Sequence, residues 1–220
     1  MERYARQVTS SVTVPLSRER ILACAVEIAD RDGLDAASLR KVATELGVHV
    51  TSLYHHVATK DALLDGIVEE LFSRADLPMG EISWEQWVRQ FVAAVARLAG
   101  EHPGAFAVLL RRPVQGPRAT ETFEVGLAAF HRAGMDATEA YGAVKSVALG
   151  VLGCCVEQAF LAQGGLPTTD VASLPRESFP ILHEATEADP EVDFVAILVE
   201  VFVAGLAKLV ATDRAPSGRK

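Results

Sequence analysis

Between Ser17 and Asp213 the apolar residues recur at spacings of three and four, in blocks closed by Ser, Thr, Asp, Gly or Pro, and no block alternates with period two for long enough to make a strand. That pattern leaves helix-on-helix packing as the way to bury them, so the expected fold is all-α, with about nine or ten helices. Ser17 caps the first, whose stripe is Ile21, Leu22, Ala25, Ile28 and Ala29, and Gly33 stops it. Ser38 opens a short helix from Leu39 to Leu46 that Gly47 ends; a third runs from Val50 to about His56; Thr59 caps a longer one. The segments then lengthen. Ser83 and Gln86 form a capping box for a helix to about Gly100, and a short helix after Pro103 reaches Arg112. Another runs from Arg118 to Ala133, and Asp136 with Glu139 opens the longest, to about Gln163. Gly164 to Pro180 reads as a surface loop, and Pro190 after Asp189 starts a last helix that ends near Asp213.

The 220 residues include 21 Lys+Arg and 29 Asp+Glu, a net charge of -8 that argues against a phosphate partner for the chain as a whole. The charge is unevenly spread. Residues 1–60 hold 8 Lys+Arg against 7 Asp+Glu, and residues 61–220 hold 13 against 22. Three cysteines, two of them the neighbours Cys154 and Cys155, do not make a disulfide framework, and the expected compartment is the reducing cytoplasm. The apolar run from Val192 to Val210 is interrupted by Asp193, Glu200 and Lys208, which suits a helix buried in protein better than one in lipid, so no membrane partner is expected.

The stretch from Leu39 to Tyr54 has the mechanical parts of a helix-turn-helix. Ala43 is small where two helices cross, Gly47 supplies the turn, and Val42, Leu46, Val48 and Leu53 bury the inner faces. The second helix turns Val50, Thr51, Ser52, Tyr54 and His55 outward, a set suited to hydroxyl and apolar contacts with base edges. Ser38, Arg40, Lys41, His56 and Lys60 stand around it, Lys60 at a helix N-terminus, where amides and a cation together favour a phosphate. Such a helix pair also serves for docking proteins. His49, His55 and His56 lack a Cys or carboxylate at ligand spacing, so no metal and no cofactor is expected.

Arg40, Lys41, Ala43, Leu46, Gly47, Val48, Leu53, Tyr54, His56, Val57, Lys60 and the run Ala62 to Asp65 resemble the DNA-binding head of the TetR family of bacterial repressors. The resemblance implies base reading at Arg40, Val50, Thr51 and Ser52 and phosphate contacts at Tyr54, His56 and Lys60. It extends into the C-terminal half, where Ser83, Trp84, Arg112, Pro113, the run Leu152 to Cys154, Glu157 and the run Pro167 to Asp170 stand as in the tetracycline repressor branch. That branch binds a magnesium-tetracycline complex. Here Val108, Phe91 and Asp76 stand in place of a His, an Asn and a His, and Glu157 alone matches, so no metal follows.

The implied organisation is a flexible arm over residues 1–16, a helix-turn-helix domain over 17–62, an effector-binding and dimerisation domain over 63–213 and a disordered tail over 214–220. Two recognition helices must be held about 34 to 36 Å apart to grip a palindromic operator, so a homodimer is required. Its interface is expected on the two long C-terminal helices, one apolar nearly all round from Phe194 to Ala207, the other carrying Gly142, Gly150, Gly153 and Cys154. A pocket for a small apolar or aromatic effector is expected among Trp87, Phe91, Val95, Phe106, Leu109 and Leu110 with Phe123, Leu127, Phe130, Val147, Val151 and Cys154. Arg111, Glu157 and Gln158 are its candidate polar anchors. The expected function is a ligand-released transcriptional repressor on double-stranded DNA. A DNA-binding regulator controlled by a partner protein or by abundance is the alternative. An enzyme is remote, since Ser146 and Ser173 have no His at useful spacing and Glu157 has no paired acid.

Overall fold

The computed structural model describes residues 15–162, 170–187 and 193–213. Among these it holds ten α-helices, three 3-10 turns and no strand. The expected arm up to residue 14, the tail over 214–220, the helix end at Gln163, the run from Pro167 and the Asp189-Pro190 start lie outside the described residues.

The front of the chain is built by local capping. In α1 (Arg18–Asp32) the Ser17 hydroxyl oxygen accepts from the Arg20 amide at 3.3 Å. α2 (Leu39–Leu46) and α3 (Val50–Tyr54) follow, and α4 (Lys60–Arg74) starts where Thr59 accepts from the Ala62 amide at 3.0 Å. α3 has five residues and ends at Tyr54 rather than His56, where the His56 amide donates to the Leu53 carbonyl at 2.9 Å in the turn that follows.

The larger part starts with α5 (Trp84–Glu101), opened by the reciprocal Ser83–Gln86 capping box. The stretch expected as one short helix to Arg112 is α6 (Pro103–Phe106) tightened into a 3-10 turn over Ala107–Leu110. α7 (Pro117–Arg132) and α8 (Ala137–Ala162) pack on α5. A further helix that the sequence reading lacks, α9 (Pro180–Glu187), stands where the surface loop ends. In α10 (Phe194–Asp213) the Asp193 carboxylate accepts from the Ala196 amide at 2.9 Å at the start of the helix.

One apolar core runs through the molecule. At its centre Trp87 stacks on Phe91 with centroids 4.8 Å apart and meets Phe130 edge-on at 6.4 Å. The Trp87 indole N–H donates to the Thr122 carbonyl at 2.8 Å, so this buried donor is satisfied. Gly126 makes room for that ring: a Cβ there would lie 2.5 Å from it.

Front and back are joined by backbone packing, hydrogen bonds and ion pairs. Gly104 of α6 lies directly on the α1 backbone at Ala29 and Asp30. The Asp30 carboxylate accepts from the Ala105 amide at 2.9 Å and lies 2.7 Å from His102 Nδ1. Beyond the 3-10 turn, Arg111 donates to Asp35 at 2.6 Å, and Arg112 pairs with Asp61 and lies 3.7 Å from Asp65, both on α4.

Ala137–Ala159 and Phe194–Ala211 are long and apolar enough to cross a bilayer by length and composition. The first is partly buried in the fold and the second hardly at all. α10 packs on α5 and α8, with Gly150 admitting the Phe202 ring, and Glu200 pairs with Arg89 of α5 at 2.8 Å. Its outer stripe of Phe194, Ile197, Val201 and Leu209 stays exposed, Val201 at 62%.

Candidate nucleic-acid interface and ligand cavity

Gly47 turns the chain between α2 and α3 with φ 66, in the left-handed region that favours glycine, and Val48 N–H closes the turn on Ala43 O at 3.0 Å. Ala43 and Val42 are buried on α2; on α3 Leu53 is buried and Val50 packs half-buried against the core. Thr51, Tyr54, His55 and His56 are exposed, and Val50 and Ser52 are half-buried. Of the expected outward set, Thr51, Tyr54 and His55 are open to solvent, while Val50 also packs against the core. Ser38 differs from it: its hydroxyl oxygen accepts from the Lys41 amide at 3.3 Å and is committed to the α2 cap.

The cations divide. Lys41 Nζ lies 3.7 Å from Asp32 and 3.8 Å from Glu45, and Arg31 shares the same two carboxylates, so the Lys41 charge is offset within the head. The Arg31 guanidinium holds the Asp32 carboxyl below the usual carboxylate range. Arg40 and Lys60 are exposed and have no acidic group within ion-pair distance among the described residues. They flank α3 in the chain, and Lys60 is the first residue of α4, where unpaired amides add to its charge.

The back half contains a cavity of about 490 Å³ between α4, α5, α7, α8 and the segment after the 3-10 turn, with Tyr141, Lys145 and Leu149 of its lining exposed to solvent. Phe91, Leu109 and Phe123 from the expected effector set line it. Trp87, Val95, Phe106, Phe130, Val147 and Val151 are instead fully enclosed in the core. Leu127 and Cys154 are half-buried away from the cavity wall, Leu110 is exposed at 54%, and Glu157 and Gln158 are exposed and do not line it. Arg111 is engaged by Asp35. The sequence reading missed Phe72, Arg112, Tyr141, Lys145 and Leu152, which complete the wall. Arg112 reaches it because the chain after the 3-10 turn folds back between α4 and α7; Tyr141 and Lys145 sit one helical turn apart on α8, and that spacing was the signal available.

Among the described residues no three His, Cys, Asp or Glu converge to hold a metal ion. Cys155 is buried, and burial pushes its thiol up to about 11.

Residues 21–67 match the profile of a family described as bacterial regulatory proteins, tetR family. The tetracycline repressor protein class D of Escherichia coli is 30% identical over 177 residues, 78% of this chain and 79% of that protein. An HTH-type transcriptional regulator of Saccharopolyspora erythraea is 37% identical over 152 residues, 68% of this chain, and the match spans 64% of that relative's length. ActR of Streptomyces coelicolor, solved in complex with actinorhodin, superposes with a TM-score of 0.71 at 27% identity, over 88% of this chain and 96% of that one.

Proposed function

Because this chain belongs to the tetR family of bacterial regulatory proteins, and is a transcriptional regulator and not an enzyme, we propose that it is a homodimeric cytoplasmic repressor released from a palindromic operator by a small molecule. The observation that carries the reading is the free surface of α3: Thr51, Tyr54 and His55 face solvent between the unpaired cations Arg40 and Lys60. In this reading residues 17–62 are the DNA-binding unit and 63–213 the effector and dimer unit. Arg40, Val50, Thr51 and Ser52 read bases, and Tyr54, His56 and Lys60 hold phosphates.

The dimer reading rests on α10. A helix whose outer stripe is Phe194, Ile197, Val201 and Leu209 leaves more apolar surface open than a stable monomer tolerates, and a second copy covers it in a closed, self-complementary contact. Two copies also supply the paired recognition helices. The effector reading rests on the cavity, whose volume falls within the roughly 300 to 1,000 Å³ of small-molecule sites, and on the ActR complex with actinorhodin. A ligand that prefers the dimer with its heads out of register shifts the population by its differential affinity, a few kcal/mol.

Fluorescence anisotropy with duplexes from the DNA flanking its own gene, titrated across salt, tests the reading. A specific complex is expected, whose affinity falls with salt; Lys60→Ala reduces the salt slope by about 1, and Thr51→Ala relaxes sequence preference. Failure to bind any of these duplexes more tightly than random DNA overturns it.

A further inference from the structure

The 29 acidic residues of the chain outnumber the 21 basic ones, yet among the described residues the wall of the cavity contains no Asp or Glu and two cations, Arg112 and Lys145. Of the other polar side chains in the wall, Tyr141 is exposed and has a hydroxyl able to donate or accept, while the two threonines are engaged. Thr120 donates its hydroxyl proton to Gly116 O at 3.0 Å, and Thr122 donates to Pro78 O at 2.9 Å, so both are spent on the backbone. Lys145 Nζ has no acidic group within ion-pair distance among the described residues. Among the described residues Arg112 is paired from the α4 side, by Asp61 and Asp65. Lysine and arginine have only N–H to offer, so Lys145, exposed beside the apolar walls of Phe72, Phe91 and Phe123, is the donor with no ion-pair partner there, and Arg112 is a guanidinium already shared with two carboxylates.

We propose that the ligand of this cavity is an aromatic acid: a ring system of drug-like size bearing one anionic oxygen group, which Lys145 and Arg112 hold while the phenylalanines take the rings. The inference rests on the effector reading above and names the class of molecule. A neutral apolar ligand would fill the same space and offer the Lys145 ammonium no charged acceptor. An anion supplies a charge-assisted partner to both.

Arg112 gives this class a consequence that a neutral ligand lacks. Its guanidinium pairs with Asp61, the second residue of α4, directly after Lys60. An anion in the cavity competes with Asp61 and Asp65 for the same N–H groups and loosens the tie between the 3-10 turn and α4. Arg112 is thus a positioning residue for the head as well as a ligand contact.

A matched pair of probes separates charge from shape: 1-anilinonaphthalene-8-sulfonate and its uncharged counterpart N-phenyl-1-naphthylamine, titrated by fluorescence against the full-length protein. The sulfonate is expected to bind about tenfold more tightly. Lys145→Met removes about that factor for the sulfonate and leaves the neutral probe within about twofold; Lys145→Arg restores the difference. Lys145 is exposed, so these variants retain the fold. Operator anisotropy at equal probe occupancy is the second readout, with the sulfonate expected to release DNA and the neutral probe to release less. Equal affinities for the two probes, a Lys145→Met protein that still discriminates, or no binding of either probe overturns the proposal. If both probes bind equally and both release DNA, the ligand-released repressor stands and the acid preference falls. If the sulfonate is preferred through Lys145 but DNA binding ignores it, the preference stands and the effector reading falls.

Discussion

Gly104→Ala isolates the contact between α1 and α6. A Cβ at residue 104 would lie 2.7 Å from Asp30 Cα and 2.8 Å from the Ala29 carbonyl carbon, and closer still to the Ala29 carbonyl oxygen. These are backbone atoms of a 15-residue helix and cannot rotate away. Carbon atoms need about 3.5 to 4.0 Å, so α6 must retreat by about 1 Å. That retreat takes the Ala105 amide, now 2.9 Å from the Asp30 carboxylate, beyond hydrogen-bond range, and stretches the 2.7 Å His102 contact as well. Overpacking costs about 1 to 3 kcal/mol, and each hydrogen bond lost adds about 1. Helix propensity acts in the opposite direction, favouring Ala by at most about 1 kcal/mol. The net is a destabilisation of about 1 to 4 kcal/mol. Gly100→Ala is the control: it sits near the end of α5 with nothing within 4 Å of its Cβ, and should stabilise by up to about 1 kcal/mol. Urea unfolding at one fixed protomer concentration reads both, with the midpoint falling for residue 104 and rising for residue 100 at unchanged slope. A Gly104→Ala protein as stable as wild type refutes the close approach and the coupling built on it. Operator anisotropy should also show weakened binding, because the displaced α6 no longer sets the angle of α1.

Val201→Glu adds a carboxylate to the middle of the open α10 stripe; sedimentation should give a monomer that retains its helical circular dichroism and has lost operator binding, and a persisting dimer sinks the interface assignment. The Arg111 guanidinium holds the Asp35 carboxyl below its usual range, so the pair stabilises the fold fully above the ordinary Asp value of about 3.9 and loses that contribution as pH falls through the lowered folded value. The melting-temperature advantage of wild type over Asp35→Asn should therefore shrink between about pH 5 and pH 2, and should shrink in high salt because both partners are exposed; an advantage constant across that range counts against the pair.

The helix starts were legible because a cap is a local event. Ser17, Ser38, Thr59, Ser83 and Asp136 each accept from an amide two or three residues on, and that bond forms whatever the rest of the chain does. The last helix follows the same rule, with Asp193 accepting from the Ala196 amide three residues on. α9 was missed because its eight residues with one buried side chain, His183, carry too little stripe to stand out from a loop.

The cavity was less legible than the head, because apolar periodicity says which side chains face inward and not whether they meet protein or space. Trp87 and Phe130 have the same spacing signal as Phe91 and Phe123, but the first two close on each other at 6.4 Å, while the second pair border the opening. Which pair stays open depends on Gly126, whose missing side chain admits the Trp87 ring, and no pattern confined to a single helix contains that information. Charge fails at the same scale. A whole-chain value of -8 misjudged the head, where Arg31 and Lys41 share Asp32 and Glu45 and leave Arg40 and Lys60 unmatched. The acid surplus of residues 61–220 misjudges the cavity in the same way, since Asp61 and Asp65 meet Arg112 from outside the wall. Charge therefore has to be counted over the few ångströms a ligand group can reach, and at that distance Lys145 is the cation of the wall that no described carboxylate offsets.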